Sequence, residues 1–337
     1  MPHVRRWVAS VISMLVITGT ARAEGPAYAV TSRIAMPDGG WDLASFDPTL
    51  RRVYLARPDG VTAIDVETGV VTGRLAPANG GHAAVPSKAG GELLVTSGKS
   101  NMADIFDSRT GARLASIQVG EKPDAALIEP TTGLGVVMNG KSGSLSLIDM
   151  SARRVVGTIP IGGSLELAAA DGTGRIFVNV EDRNELVAVD LKNQRIQARF
   201  TLTGCEGPTG AAWLPISRRV LSTCGNGVAA VTDPATGKVD LVSIGQGPDT
   251  AMYDPNRRVA FVPAGRSGEL DLFDDTPQGV KPAGKVATQR GARTGALDPR
   301  SGRIYLPAAE YTAPADAGTR PQIVPGSVVL IVVAPRK

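Results

Sequence analysis

The chain is written in short apolar runs separated by turn residues, and the runs recur in a fixed register. One set ends at Asp65 (VTAID), Asp107 (ADIFD), Asp149 (LSLID), Asp190 (LVAVD) and Asp274 (LDLFD), with VAAVT ending at Thr232 in the same slot. These ends are spaced 42, 42, 41, 42 and 42 residues apart. Thr-Gly closes the turns after Asp65, Asp107 and Asp233. A second register lies upstream, at Asp47-Pro48, Glu129-Pro130, Asp171, Pro215, Asp254-Pro255 and Asp298-Pro299, with Ser87 in the second unit. Each of its members precedes a β run such as RVYLA, RIFVNV or RIYLP. Runs this short, bounded by Gly, Pro and Asp, are strands. No stretch carries an amphipathic helical period of useful length.

Aligning the registers gives seven units, starting near residues 39, 80, 121, 164, 206, 248 and 292. Four antiparallel strands per period of about 42 residues is the pattern of a propeller blade. The expected fold is therefore all-β, a seven-bladed β-propeller over residues 24–337. The last unit stops at its third strand, VVLIVVAP. Its fourth is available in AYAVTSRIAMP at 27–37, which would close the ring and remove the free sheet edges.

The strand GVVMNGKSGSLSLID and the Gly-x-x-Pro pattern of GEKPDAALIEP and GQGPDTAMYDP resemble the YVTN repeat of surface-layer and YncE-like exported propellers. The resemblance extends over about residues 27–337 and departs in the second unit, which lacks Asp-Pro, and in the seventh, which carries an insertion. It implies the propeller architecture and says little about chemistry.

Residues 1–23 read as a cleavable signal peptide: Arg5 and Arg6, an apolar run from Trp7 to Val16, and Ala21-Arg22-Ala23 before Glu24. The run is short for a bilayer span, so a periplasmic or secreted protein is expected, not an integral membrane one. The formal charge of +4 then falls to +1, since 33 bases remain against 32 acids. With 3 Trp, 5 Tyr and 6 Phe, that balance argues against a nucleic-acid surface. Cys205 and Cys224 are the only cysteines, and export makes a disulfide the expected state. Cys205 precedes the first strand of unit five and Cys224 ends its second, which places both at the same end of that pair.

First strands of a propeller line its central channel, so the residues just before them surround one opening, here called the top. Five positions before the Asp-Pro slot, the units carry Asp42, His82, Asp124, Glu166, Thr209, Asp249 and Arg293. These seven are the candidate ligand site. The acids Asp42, Asp124, Glu166 and Asp249 suit a divalent cation such as Ca²⁺, whose charge would offset their repulsion. Alternatively, Arg293 and His82 bind an anionic group among the carboxylates. The insertion at 308–326 makes the top loop of unit seven about 16 residues longer than its counterparts. Glu310, Tyr311 and Arg320 within it are candidates for a lid.

Gly135 to Ser142 matches the phosphate-loop pattern, but a strand follows where a helix is required. His82 is the one histidine beyond the signal, and no nucleophile elbow is present, which leaves no Ser-His-Asp set. The expected function is a non-enzymatic, monomeric scaffold binding a protein or small molecule at the top face. The other reading is a metal-dependent lactonase or esterase like the gluconolactonase-type propellers, with the acids holding the metal.

Overall fold

The computed structural model describes Met1 and residues 28–87, 90–313 and 321–336. Beyond Met1 the signal segment therefore lies outside the described residues, as does Arg320. Seven four-stranded antiparallel sheets follow one another in chain order, and the one described helix is a 3₁₀ turn, Glu181–Arg183. Blade one runs Ala44–Asp47, Arg52–Arg57, Gly60–Asp65 and Val71–Pro77, and blades two to six repeat it. In blade seven the order is Ala296–Asp298, Arg303–Ala308, Val329–Pro335 and then Tyr28–Ala35 from the other end of the chain. That last strand pairs antiparallel from Tyr28 opposite Pro335 to Ala35 opposite Val329. Tyr28 is buried edge-on against Phe261 of blade six, at 5.0 Å between ring centroids.

Second and third strands are apolar on both faces because neighbouring blades cover both. Val53 to Ala56 are fully buried, whereas the outer strand Val71–Pro77 is mostly exposed. Each apolar cluster among the described residues spans two adjacent blades. Tyr54, Ala56 and Val61 of blade one, for example, pack with Leu93, Val95 and Phe106 of blade two. The core is thus a ring of interfaces between blades, with no single centre.

The acidic punctuation of the sequence is explained by turn capping. Asp65 Oδ1 accepts the amides of Glu67 and Thr68 at 3.0 and 2.9 Å, and Asp107 does the same for Arg109 and Thr110. These bonds favour the ionised form and hold both carboxyls below their ordinary range. Gly69 and Gly111 follow with φ of 76° and 74°, a conformation that the Thr-Gly pairs supply without strain. Asp65→Ala is expected to cost about 1 kcal/mol, read as a shift in the urea midpoint, because two turn amides lose their acceptor.

Blade six departs from this pattern. Its third strand runs on to Thr276, so Asp274 does not cap a turn. Asp275 instead accepts the amides of Ile216 and Ser217 in blade five, both at 2.9 Å. The phosphate-loop look-alike forms a hairpin, Gly135–Asn139 to Ser144–Asp149, with no helix after it. Among the described residues, no helix is long and apolar enough to cross a membrane.

Candidate functional site

Each first strand enters from the top, and in blades two to five its second residue is the one picked out by the repeat. His82, Asp124 and Glu166 occupy this position in Gly81–Pro86, Pro123–Ile128 and Leu165–Ala170. The pairing with the second strand slips there, between Gly81 and Ala84, Pro123 and Ala125, and Leu165 and Ala168. A bulge re-aims one side chain, and here it turns each of these toward the channel mouth. Asp42, Asp249 and Arg293 come from the irregular backbone just before their strands. Hydrogen bonds to main-chain carbonyls join neighbours in the ring: Thr294 Oγ1 donates to Asp42 O, Leu43 N to His82 O, and Asp249 N to Arg293 O.

The mouth encloses about 230 Å³ and is lined by Asp42, His82, Lys122, Asp124, Glu166, Asp249 and Arg293, with Leu43, Ala125 and Leu167. Six of the seven sequence-selected residues therefore meet. Thr209 does not line this space; its hydroxyl turns sideways to Thr223 Oγ1 at 3.2 Å. Below the mouth the channel wall is mainly apolar, with Ala84, Leu127, Ala251 and Leu297.

The acids are not a bare ring. His82 Nδ1 lies 2.6 Å from Asp42 Oδ2 and 3.0 Å from Asp124 Oδ1. Lys122 Nζ holds the other Asp124 oxygen at 2.8 Å. Arg293 reaches Asp249 at 3.3 Å and Asp42 at 3.9 Å. The bonds to Asp124 and Asp42 raise the His82 imidazole to about 9, so it is a cation at neutral pH. Burial pushes Asp124 upward, but the His82 and Lys122 bonds outweigh it and hold this carboxyl below its usual range.

Glu166 is the exception. No described side chain bonds or pairs with it. Burial, reinforced by Asp124, Glu181 and Asp249, raises its carboxyl to about 8. Burial also raises Asp249, to about 6, with Arg293 opposing. At neutral pH Glu166 thus largely keeps its proton and remains a donor, beside the pairs that His82, Lys122 and Arg293 make.

Lys122 was not apparent as a site residue from the repeat, nor was Glu181, whose charge acts on Glu166 although it does not line the mouth. Glu181 sits on the 3₁₀ turn after the second strand of blade four, outside both registers. Lys122 did leave a signal. Two positions before the site column, the units read Gly40, Gly80, Lys122, Ser164, Gly207, Gly247 and Gly291. Lys122 adopts φ 51°, the left-handed conformation that Gly80, Gly207 and Gly247 adopt at 66°, 59° and 70°. A side chain there costs about 1 kcal/mol or more. Its amide is held by Asn101 Oδ1 at 3.0 Å, and its ammonium lies on Asp124.

A metal here would have to compete with bonds the side chains already make. Within the set of four acids expected to bind one, Glu166 and Asp249 lie outside the group whose donor atoms converge. That group, among the described residues, is Asp42, His82 and Asp124, within 4.8 Å of one another. Its one nitrogen holds a tightly bound proton between two carboxylates, and Lys122 occupies a further oxygen. A cation would have to displace both.

Two further features share the top. Cys205 and Cys224 form a disulfide with 5.4 Å between Cα atoms, at the end of blade five where Pro208 pairs with Cys224. The described ends of the blade-seven insertion pair with each other as the base of an arm. Tyr311 bridges Ile323, Thr312 N donates to Gln322 O, and Val324 N to Glu310 O. Asp38 anchors its base by accepting the Gly326 amide at 2.9 Å. Between the arm and blade six lies a groove of about 1230 Å³, which shares Asp249 and Arg293 with the mouth.

No family model matches the chain, and no curated protein matches it. Solved structures do. A chain of the mitotic checkpoint complex superposes with TM-score 0.74 at 15% identity, over 99% of both chains. Hydrazine synthase of Kuenenia stuttgartiensis gives 0.71 at 14%, over 92% of this chain and 98% of that one. U3-55K gives 0.74 at 12%, over 91% and 99%. The likeness is one of fold. At such identities it supports the seven-bladed ring and carries no residue roles across.

Proposed function

We propose that this chain is an exported YVTN-type propeller that acts without catalysis, as a binding scaffold engaging a ligand or protein partner through its top face. The observation that carries the reading is the continuity of the channel mouth with the larger groove beneath the blade-seven arm, through Asp249 and Arg293. The cations of the mouth are already paired with carboxyl groups, and the raised Glu166 carboxyl is left as a hydrogen-bond donor, which suits a site that recognises polar groups. The disulfide is consistent with an oxidising compartment.

A photo-crosslinking residue placed at Thr312, on the arm, should capture a discrete partner in an envelope fraction. The same residue at Lys192, on the opposite face, should not. Capture from Lys192 alone would overturn the reading.

The convergence of Asp42, His82 and Asp124 favours a second reading, a divalent-metal site supporting hydrolysis. In that reading the two carboxylates and a deprotonated His82 hold the ion, which supplies Lewis-acid activation. Elemental analysis of the purified protein, with melting curves in chelator, separates the two. The scaffold reading expects sub-stoichiometric metal and an unchanged melt, whereas one tightly held ion per chain would favour the hydrolase.

A further inference from the structure

The groove has a chemistry of its own. Arg266 comes from the top loop of blade six, Arg290 and Arg293 from the crossing between blades six and seven, and Tyr311 from the arm. Arg293 is committed to Asp249, but Arg266 and Arg290 are exposed and have no side-chain partner among the described residues. The one other acid in the described lining is Glu310, so among the described residues three arginines face two carboxyl groups.

The floor is built to hold these groups down. A Cβ on Gly247 would come within 2.8 Å of Arg266 Cγ, one on Gly265 within 2.7 Å of Arg293 Cβ, and one on Gly291 within 2.7 Å of the Tyr311 ring. Three glycines therefore let two arginine stems and a tyrosine ring lie against main chain. The guanidinium groups of Arg266 and Arg290 remain open to solvent.

Resting on the top-face reading, we propose that this groove takes an acidic peptide segment of a partner protein. Arginine forks match carboxylates in paired hydrogen bonds, and Tyr311 offers an apolar face to the side chains between them. The groove also exceeds the ~300–1,000 Å³ usual for small-molecule pockets, which favours an extended chain over a single small anion.

The test uses a fluorescein-labelled octapeptide of alternating Glu and Leu, followed by anisotropy, with a Lys/Leu peptide as control. The full protein should bind the acidic peptide and not the basic one, more weakly as salt rises. Arg266→Glu combined with Arg290→Glu should weaken binding by about tenfold or more, at an unchanged melting temperature. Arg109→Glu combined with Lys192→Glu, on the opposite face, should leave it intact. Equal binding by the two double variants overturns the proposal. So does equal binding of the two peptides, or displacement of the acidic peptide by low-millimolar citrate or phosphate, which would mark a small-anion site. If the peptide fails while Thr312 still captures a partner, only the acidic chemistry falls. If both fail, the top-face reading falls too.

Discussion

Glu166→Gln should make the protein more stable at pH 8–9 while changing little near pH 4. The Glu166 carboxyl sits at about 8 in the folded protein because burial, then Asp124, Glu181 and Asp249, disfavour its charge, with Lys122 opposing. The folded state therefore binds this proton more tightly than the unfolded chain, and stability falls as pH rises. The favourable contribution is complete below the ordinary value of 4.5 and is lost as pH climbs through about 8. Each tenfold gain in proton affinity corresponds to about 1.4 kcal/mol, so the difference between the two pH extremes amounts to a few kcal/mol. Glutamine has the same shape and no proton to lose. Urea unfolding of both proteins from pH 4 to 9 checks this: the profiles should diverge above about pH 5, and parallel profiles would contradict it. The variant should keep a residual fall, since Asp249 is raised to about 6 and His82 to about 9.

Opening the Cys205–Cys224 bridge should be the other large effect. The bond closes a loop of sequence separation 19 and ties the entry of blade five to the end of its second strand. In chain-entropy terms such a bridge stabilises by about 3 kcal/mol, chiefly by restricting the unfolded chain. Both sulfurs are buried among Phe177, Leu186, Leu202 and Val220 at the interface of blades four and five, so the double replacement Cys→Ala also removes packing. The expected result is a melting temperature lower by several degrees, with strand content by circular dichroism unchanged at low temperature. An unchanged melt would mean that the blade interface alone fixes this end of the ring.

The architecture was legible because a propeller is written as a period. Two Asp registers about 42 residues apart locate the blades, and the unpaired apolar strand at each end predicts the closure that Tyr28–Ala35 makes with Val329–Pro335. The site column was legible for the same reason: equivalent positions in equivalent strands converge on the axis. What the period does not contain is distance between side chains. The four acids, counted by position, look like an uncompensated ring. In the structure His82 bridges two of them, and Lys122 reaches Asp124 from a backbone conformation that the other blades mostly give to glycine. Thr209 holds the right register but turns its hydroxyl toward the adjacent Thr223. Arg266 and Arg290 gave no sequence signal, because they belong to different loops and come together only in the groove they line with Tyr311.

The central claim is that the channel mouth is a charge-balanced network built around a protonated His82. The chain has 2 histidines, His3 and His82, and His3 lies in the signal segment, so a proton NMR titration of the mature protein follows one imidazole, which His82→Gln removes. His82 is expected to titrate at about 9, shifted by its bonds to Asp124 and Asp42. A value near the ordinary ~6.5 would show that the two carboxylates do not hold its proton, and the account of the mouth would be wrong.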